Sequence, residues 1–143
     1  MNPARLSFRP DPGVLRQLRA DVRDATAKLG GESAVCDTVA LVVDELVNNA
    51  IEHGAPYRRR GLDLAVQIGL VGDRIEVEFF DQEMPDDSVR ELAVALTDAA
   101  NGMPSLENER GRGLFLLSVY LDDLRAEVWA QGGLRLAGLV SRR

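Results

Sequence analysis

Residues 42–54 read VVDELVNNAIEHG. At about 100° per residue, Val43, Leu46, Val47 and Ala50 fall on one side, with Val39 from the turn before. Glu45, Asn49 and Glu52 gather on roughly the opposite side, with His53 close by. The spacing predicts a helix with a core face and a polar stripe, and most such stripes are simply solvated. Residue type argues otherwise here. A solvated face favours Lys, Arg, Glu and Gln, whereas the adjacent Asn48 and Asn49 lower helix propensity and add nothing to a core. An asparagine carbonyl is a good ligand for a hard cation such as Mg²⁺, and a glutamate one turn away is placed to take a proton.

Bulk properties narrow the classes around this helix. A chain of 143 residues, 45% hydrophobic and 28% charged, is expected to form one domain with one core. The net charge of −6 argues against a nucleic-acid binder, which normally carries a basic face. Only Lys28 among the 17 basic residues is a lysine, and the arginines are scattered rather than clustered into a site. Cys36, the sole cysteine, lies in an apolar run and is expected to be packed rather than bridged. No Cys/His spacing suits a metal. Neither a signal peptide nor a membrane-spanning run is evident, so a cytoplasmic protein with no membrane partner is expected.

Around the central helix, ARLSFRP (4–10) reads as a strand. A helix follows, with Val14, Leu18, Val22 and Ala25 near helical spacing before a Gly-Gly stop. The central helix is expected to start near a Ser33 cap and to stop at Gly54, with APYRRRG as a turn. Leu62, Leu64, Val66, Ile68 and Leu70 alternate, Gly72-Asp73 makes a tight turn, and Ile75, Val77 and Phe79 resume the period of two. A helix over 88–100, a loop NGMPSLENERGRG, a helix LFLLSVYLDDL and a closing hairpin complete the chain. The order β-α-α-β-β-α-α-β-β predicts an α+β two-layer sandwich, a mostly antiparallel mixed sheet covered on one face by helices.

Two further signals lie downstream. In ERGRGLFLL (109–117), Gly111 and Gly113 flank Arg112 directly before an apolar helix. Glycines there let backbone approach a ligand, and a helix N-terminus offers free N–H groups to phosphate, although a Gly-x-Gly alone is weak evidence. Asp81 ends the strand IEVEFFD, where a carboxylate can accept from an exocyclic amine; by itself a strand-end aspartate is an ordinary turn residue.

In this order the three signals resemble the ATPase superfamily of gyrase, histidine kinases and heat-shock chaperones. DELVNNAIEHG with ERGRGLFLLSVYLDDL is most similar to the anti-sigma-factor serine kinases of the RsbW/SpoIIAB type, over nearly the whole chain. The resemblance implies a histidine-kinase-like ATPase fold and Mg-ATP-dependent phosphorylation of a serine in a STAS-domain antagonist. It also implies sequestration of a sigma factor or other effector, and a homodimer, since the family often dimerises. By position, it makes Asn49 the Mg²⁺ ligand at the ATP phosphates and Glu45 the base for the serine hydroxyl. Asp81 becomes the acceptor for the adenine amino group, and Gly111, Arg112, Gly113 and Leu114 the triphosphate loop. His53 is expected to pack or to support neighbouring groups.

One residue leaves the pattern: the turn reads DQEMP, with Glu83 where the family has glycine. An inward carboxylate there is expected to crowd the base and repel phosphate, worth roughly 2 kcal/mol at ~7 Å and an effective dielectric of ~20. A partner-binding module weakened or inactive in catalysis is therefore the competing reading. A plain ATPase or a detached histidine-kinase domain is less favoured, because no phosphoacceptor helix is evident ahead of the fold.

Overall fold

Strands form where the period-two pattern puts them. The computed structural model describes residues 2–102 and 109–143. In it β1 (Ala4–Phe8) is followed by α1 (Leu15–Lys28) and α2 (Ser33–Gly54), then by the hairpin of β2 (Leu64–Val71) and β3 (Arg74–Asp81). Next come α3 (Asp86–Ala100), α4 (Glu109–Tyr120) and the hairpin of β4 (Asp122–Val128) and β5 (Leu134–Ser141). The spatial order is β1-β2-β3-β5-β4, and every described pairing is antiparallel. The α+β sandwich expected from the sequence is the architecture observed.

Pairing partners share a face, so register sorts the residues. Val66 lies opposite Phe79, and Phe79 opposite Leu136. These, with Leu64, Ile68, Ile75, Val77 and Leu134, form the inner face of the sheet. Val39, Val43, Leu46 and Val47 of α2 and Leu18 and Val22 of α1 close the core from above. The helices neighbour one another as α1-α2-α4-α3, and α3 reaches over β4.

Helix ends obey local chemistry. α1 stops because Gly30 takes φ 89°, letting Gly30 N–H bond to Ala27 O and Gly31 N–H to Thr26 O, both at 3.0 Å. Gly72, at φ 59°, makes the two-residue β2–β3 turn. The outer face of the sheet carries its own cover: the Trp129 ring meets Phe80 edge to face at 5.5 Å, and Arg135 pairs with Glu78 and Glu127 at 2.8 Å each.

Several boundaries differ from the sequence reading: α3 begins at Asp86 rather than 88 and β1 ends at Phe8 rather than at 10, and three further differences lie at helix ends. Ser33 is not the cap of α2 but its first residue; extended Glu32 holds the cap position and ties back through its N–H to Arg142 O at 3.0 Å. α4 starts at Glu109, not at Leu114, so Gly111, Arg112 and Gly113 are helical rather than loop residues. The apolar period begins only at Leu114, and periodicity cannot see a helical turn without apolar residues. α4 also ends earlier than expected, at Tyr120, because a bulge between Asp122 and Arg125, with Asp123 at φ 52°, starts β4. The part of the expected loop over 103–108 lies outside the described residues.

Phe79 is 2% exposed at the middle of the sheet. Phe79→Ala is expected to cost about 3–5 kcal/mol, read as a lower urea midpoint with an unchanged slope.

Candidate functional site

β3 places the first functional residue. Ile75, Val77 and Phe79 point inward, and the same parity sends Asp81 inward, opposite Leu134. Asp81 is 0% exposed. A buried carboxylate needs a cation or several donors, and both are supplied from the segment after α2. Arg58 donates through Nη1 to Asp81 Oδ1 at 2.6 Å and through Nη2 to Oδ2 at 2.5 Å, a two-pronged pair. Tyr57 Oη donates to Oδ2 at 3.3 Å, and the Glu83 N–H donates to Oδ1 at 3.2 Å.

These charges perturb one another. Burial, then the Asp81 charge, push the Tyr57 phenol up to about 12. Burial alone would lower the Arg58 value, but the hydrogen bonds and charge of Asp81 outweigh it and raise it. Gly54 makes room for the guanidinium, since a Cβ there would lie 2.6 Å from Arg58 Nη2.

Glu83 is turned toward the protein, with its side chain 2% exposed. Its Oε1 accepts the N–H groups of Arg60 at 2.6 Å and Arg59 at 3.1 Å, and Oε2 lies 3.7 Å from Arg58 Nη1. Burial pushes the carboxyl up, yet those backbone N–H groups and the Arg58 charge hold it below the usual carboxylate range. The expected repulsion of a ligand by this residue therefore has a counterweight: Glu83 fastens residues 58–60 and faces a guanidinium.

The polar stripe of α2 builds the other end. Glu45, Asn49, Glu52 and His53 line a cavity of about 200 Å³ with Arg110 and Gly113 of α4. Asn49, His53 and Arg110 also line an adjoining space of about 140 Å³ with Tyr57, Met84, Ser88 and Glu91. Gly113 lets α4 come close, because a Cβ there would lie 3.0 Å from Glu45 Oε2. Burial, then Asp44 and Glu52, raise the Glu45 pKa. Burial and the nearby Arg110 lower that of His53. Arg110 Nε is buried and has no hydrogen-bond partner among the described residues.

Of the residues singled out in the sequence, the structure thus brings Glu45, Asn49 and Gly113 to one cavity. Leu114 is buried instead, beside Leu46 and Asn49 against the inner sheet. Arg112 lines neither polar cavity; the cation that lines both is Arg110. Asp81 also lines neither, being closed off by Arg58. Sequence reading missed Arg58, Tyr57 and Arg110. Only the parity of β3 hinted at the first, by demanding a cation for Asp81. No described group of three or more His, Cys, Asp or Glu side chains forms a metal cluster, and no described helix is long and apolar enough to cross a membrane.

Against known proteins, the model of the histidine kinase-like ATPase domain matches residues 8–136. A chain in the crystal structure of the SiaB–SiaC complex from Pseudomonas aeruginosa superposes with a TM-score of 0.71. The match covers 96% of this chain and 88% of that one at 14% identity, a likeness of fold. No curated protein matches the sequence.

The raised Glu45 value fixes the sign of a stability effect. A carboxyl whose folded pKa lies above the ordinary 4.5 destabilises the fold once it ionises, so that part of the stability is present below 4.5 and lost as pH rises through the folded value. Glu45→Gln is expected to melt at a higher temperature than wild type at pH 7, with the gap closing at acid pH. Thermal melts across pH test this, and a gap that widens toward acid would contradict it.

Proposed function

Since the chain belongs to the histidine kinase-like ATPase domain family, we propose that it is a Mg-ATP-dependent protein-serine/threonine kinase that works as a partner switch. Its substrate is a small STAS-domain antagonist, and its second partner a sigma factor or comparable effector held in the cytoplasm. The observation that carries this reading is the convergence of Glu45, Asn49, Arg110 and Gly113 on one cavity.

The donor set suits a nucleotide phosphate end. Asn49 offers a hard carbonyl oxygen for Mg²⁺, Arg110 offers positive charge, and Gly113 leaves backbone uncovered next to Glu45. When bound, Mg-ATP supplies the phosphoryl group and the metal neutralises its charge; the protein's task is positioning more than covalent chemistry. Glu45 takes the proton of the partner's serine hydroxyl. Its raised pKa makes it a stronger base than an ordinary glutamate, nearer the pH at which it works. For this fold a protein partner is supported by the SiaB–SiaC structure, which is described as a complex of two proteins.

A second reading, a partner-binding module with weakened or absent catalysis, draws on the other end of the site. There both oxygens of Asp81 are already engaged by Arg58.

Calorimetry with Mg-ATP separates the two. Asn49→Ala is expected to abolish Mg-dependent binding while the protein stays folded. Glu45→Gln is expected to keep binding and to lose about 10²–10⁴ in the rate of transfer to a STAS-domain partner. Transfer at the wild-type rate in Glu45→Gln removes Glu45 from the mechanism, and a folded wild type that binds no Mg-ATP favours the second reading.

A further inference from the structure

One guanidinium takes both oxygens of Asp81, and three features hold it there. Gly54 provides the space, the Ala50 carbonyl at the end of α2 accepts from Nη2 at 3.4 Å, and the Tyr57 ring lies beneath at 5.0 Å. The pair is sequestered, with side chains 13% and 1% exposed. Yet Arg58 itself sits outside any helix or strand, on a segment whose neighbours Arg59, Arg60 and Gly61 are exposed. It can therefore swing without unravelling a regular element.

We propose that Arg58 is a latch on the base end of the nucleotide site, so that nucleotide binds only to molecules in which Arg58 has left Asp81. The proposal rests on the reading of Asp81 as the acceptor for the adenine amine. An amine donor needs a carboxylate lone pair turned toward it, and here the lone pairs face Arg58, Tyr57 and a backbone N–H. Glu83 gives the latch its second seat. Its Oε2 is buried without a hydrogen-bond partner among the described residues, and lies 3.7 Å from Nη1. On release, Arg58 keeps an ion pair with Glu83 rather than entering the interior alone. The glutamate that departs from the family pattern thereby acquires a use.

The latch lowers apparent affinity by the fraction of molecules in which it is open. If it is closed in about 90–99% of molecules, removing it tightens binding about tenfold to a hundredfold. Ordinary electrostatics predicts the reverse, because deleting a cation from a chain of net charge −6 should weaken its hold on an anion.

Mg-ATP titration by calorimetry on wild type, Arg58→Met and Gly54→Ala tests this. Arg58→Met leaves a buried carboxylate unpaired and risks the fold. Gly54→Ala removes nothing and merely places a methyl 2.6 Å from Nη2, displacing the guanidinium. Both variants, checked as folded by circular dichroism, are expected to bind Mg-ATP at least about tenfold more tightly than wild type. If Arg58→Met does not fold, Gly54→Ala decides alone. Wild type that binds, with folded variants that bind no better, overturns the latch and leaves the kinase reading standing. Binding by folded Gly54→Ala where wild type shows none supports the latch, whereas absence of binding by both proteins overturns the nucleotide reading and the latch with it.

Discussion

The Asp81 carboxylate occupies the same inward row as Ile75, Val77 and Phe79, at a point where the core would accept another apolar side chain. Neutralising it shapes everything nearby. The segment after α2 must deliver a guanidinium, so α2 ends on Gly54, whose missing side chain the guanidinium needs. The loop carrying Arg58 must be fixed, so Glu83 reaches back to its N–H groups. Gly133, at φ 84°, packs against the backbone of Asp81 and Gln82, where a side chain has no room. Removing one member of such a buried pair costs far more than the pair contributes, because the partner is left charged and unsolvated.

The two ends of the candidate site are built on different terms. At the α2 end, half-buried Glu45 and Asn49 and the exposed Glu52 and His53 surround open space, and the cost of desolvating Glu45 is carried by the apolar face of the same helix, where Val39 and Val47 are fully enclosed. That end leaves polar atoms facing open space, close to Arg110 Nε, which has no hydrogen-bond partner among the described residues. At the Asp81 end, both carboxylate oxygens are engaged by Arg58, and the carboxylate lines neither of the two polar cavities.

Much of this was legible in the sequence because it depends on local periodicity. Alternation in 64–70 and 75–79 gave the hairpin and its inner face, and the wheel of α2 separated Val43 and Leu46 from Glu45 and Asn49. What failed was whatever depends on distant residues. The first turn of α4 holds no apolar residue before Leu114, so Gly111 and Gly113 read as loop. APYRRRG read simply as a turn, and nothing local separates Arg58 from Arg59 or Arg60. The choice is made 23 residues later, by a strand whose parity turns Asp81 inward. Arg110 was passed over for Arg112 for a related reason: once the segment is helical, two residues of offset put them on different faces.

The outer face of the sheet carries a consequence of its own. Trp129 is the chain's single tryptophan, held edge-on to Phe80 with the Arg135 guanidinium 5.5 Å from its ring. Phe80 precedes Asp81 in β3 and points to the opposite side. The protein thus has one indole emitter, and it sits across the sheet from the buried ion pair. Its colour and brightness are an unlabelled optical record of the tip of β3, read from the face of the sheet opposite to Asp81.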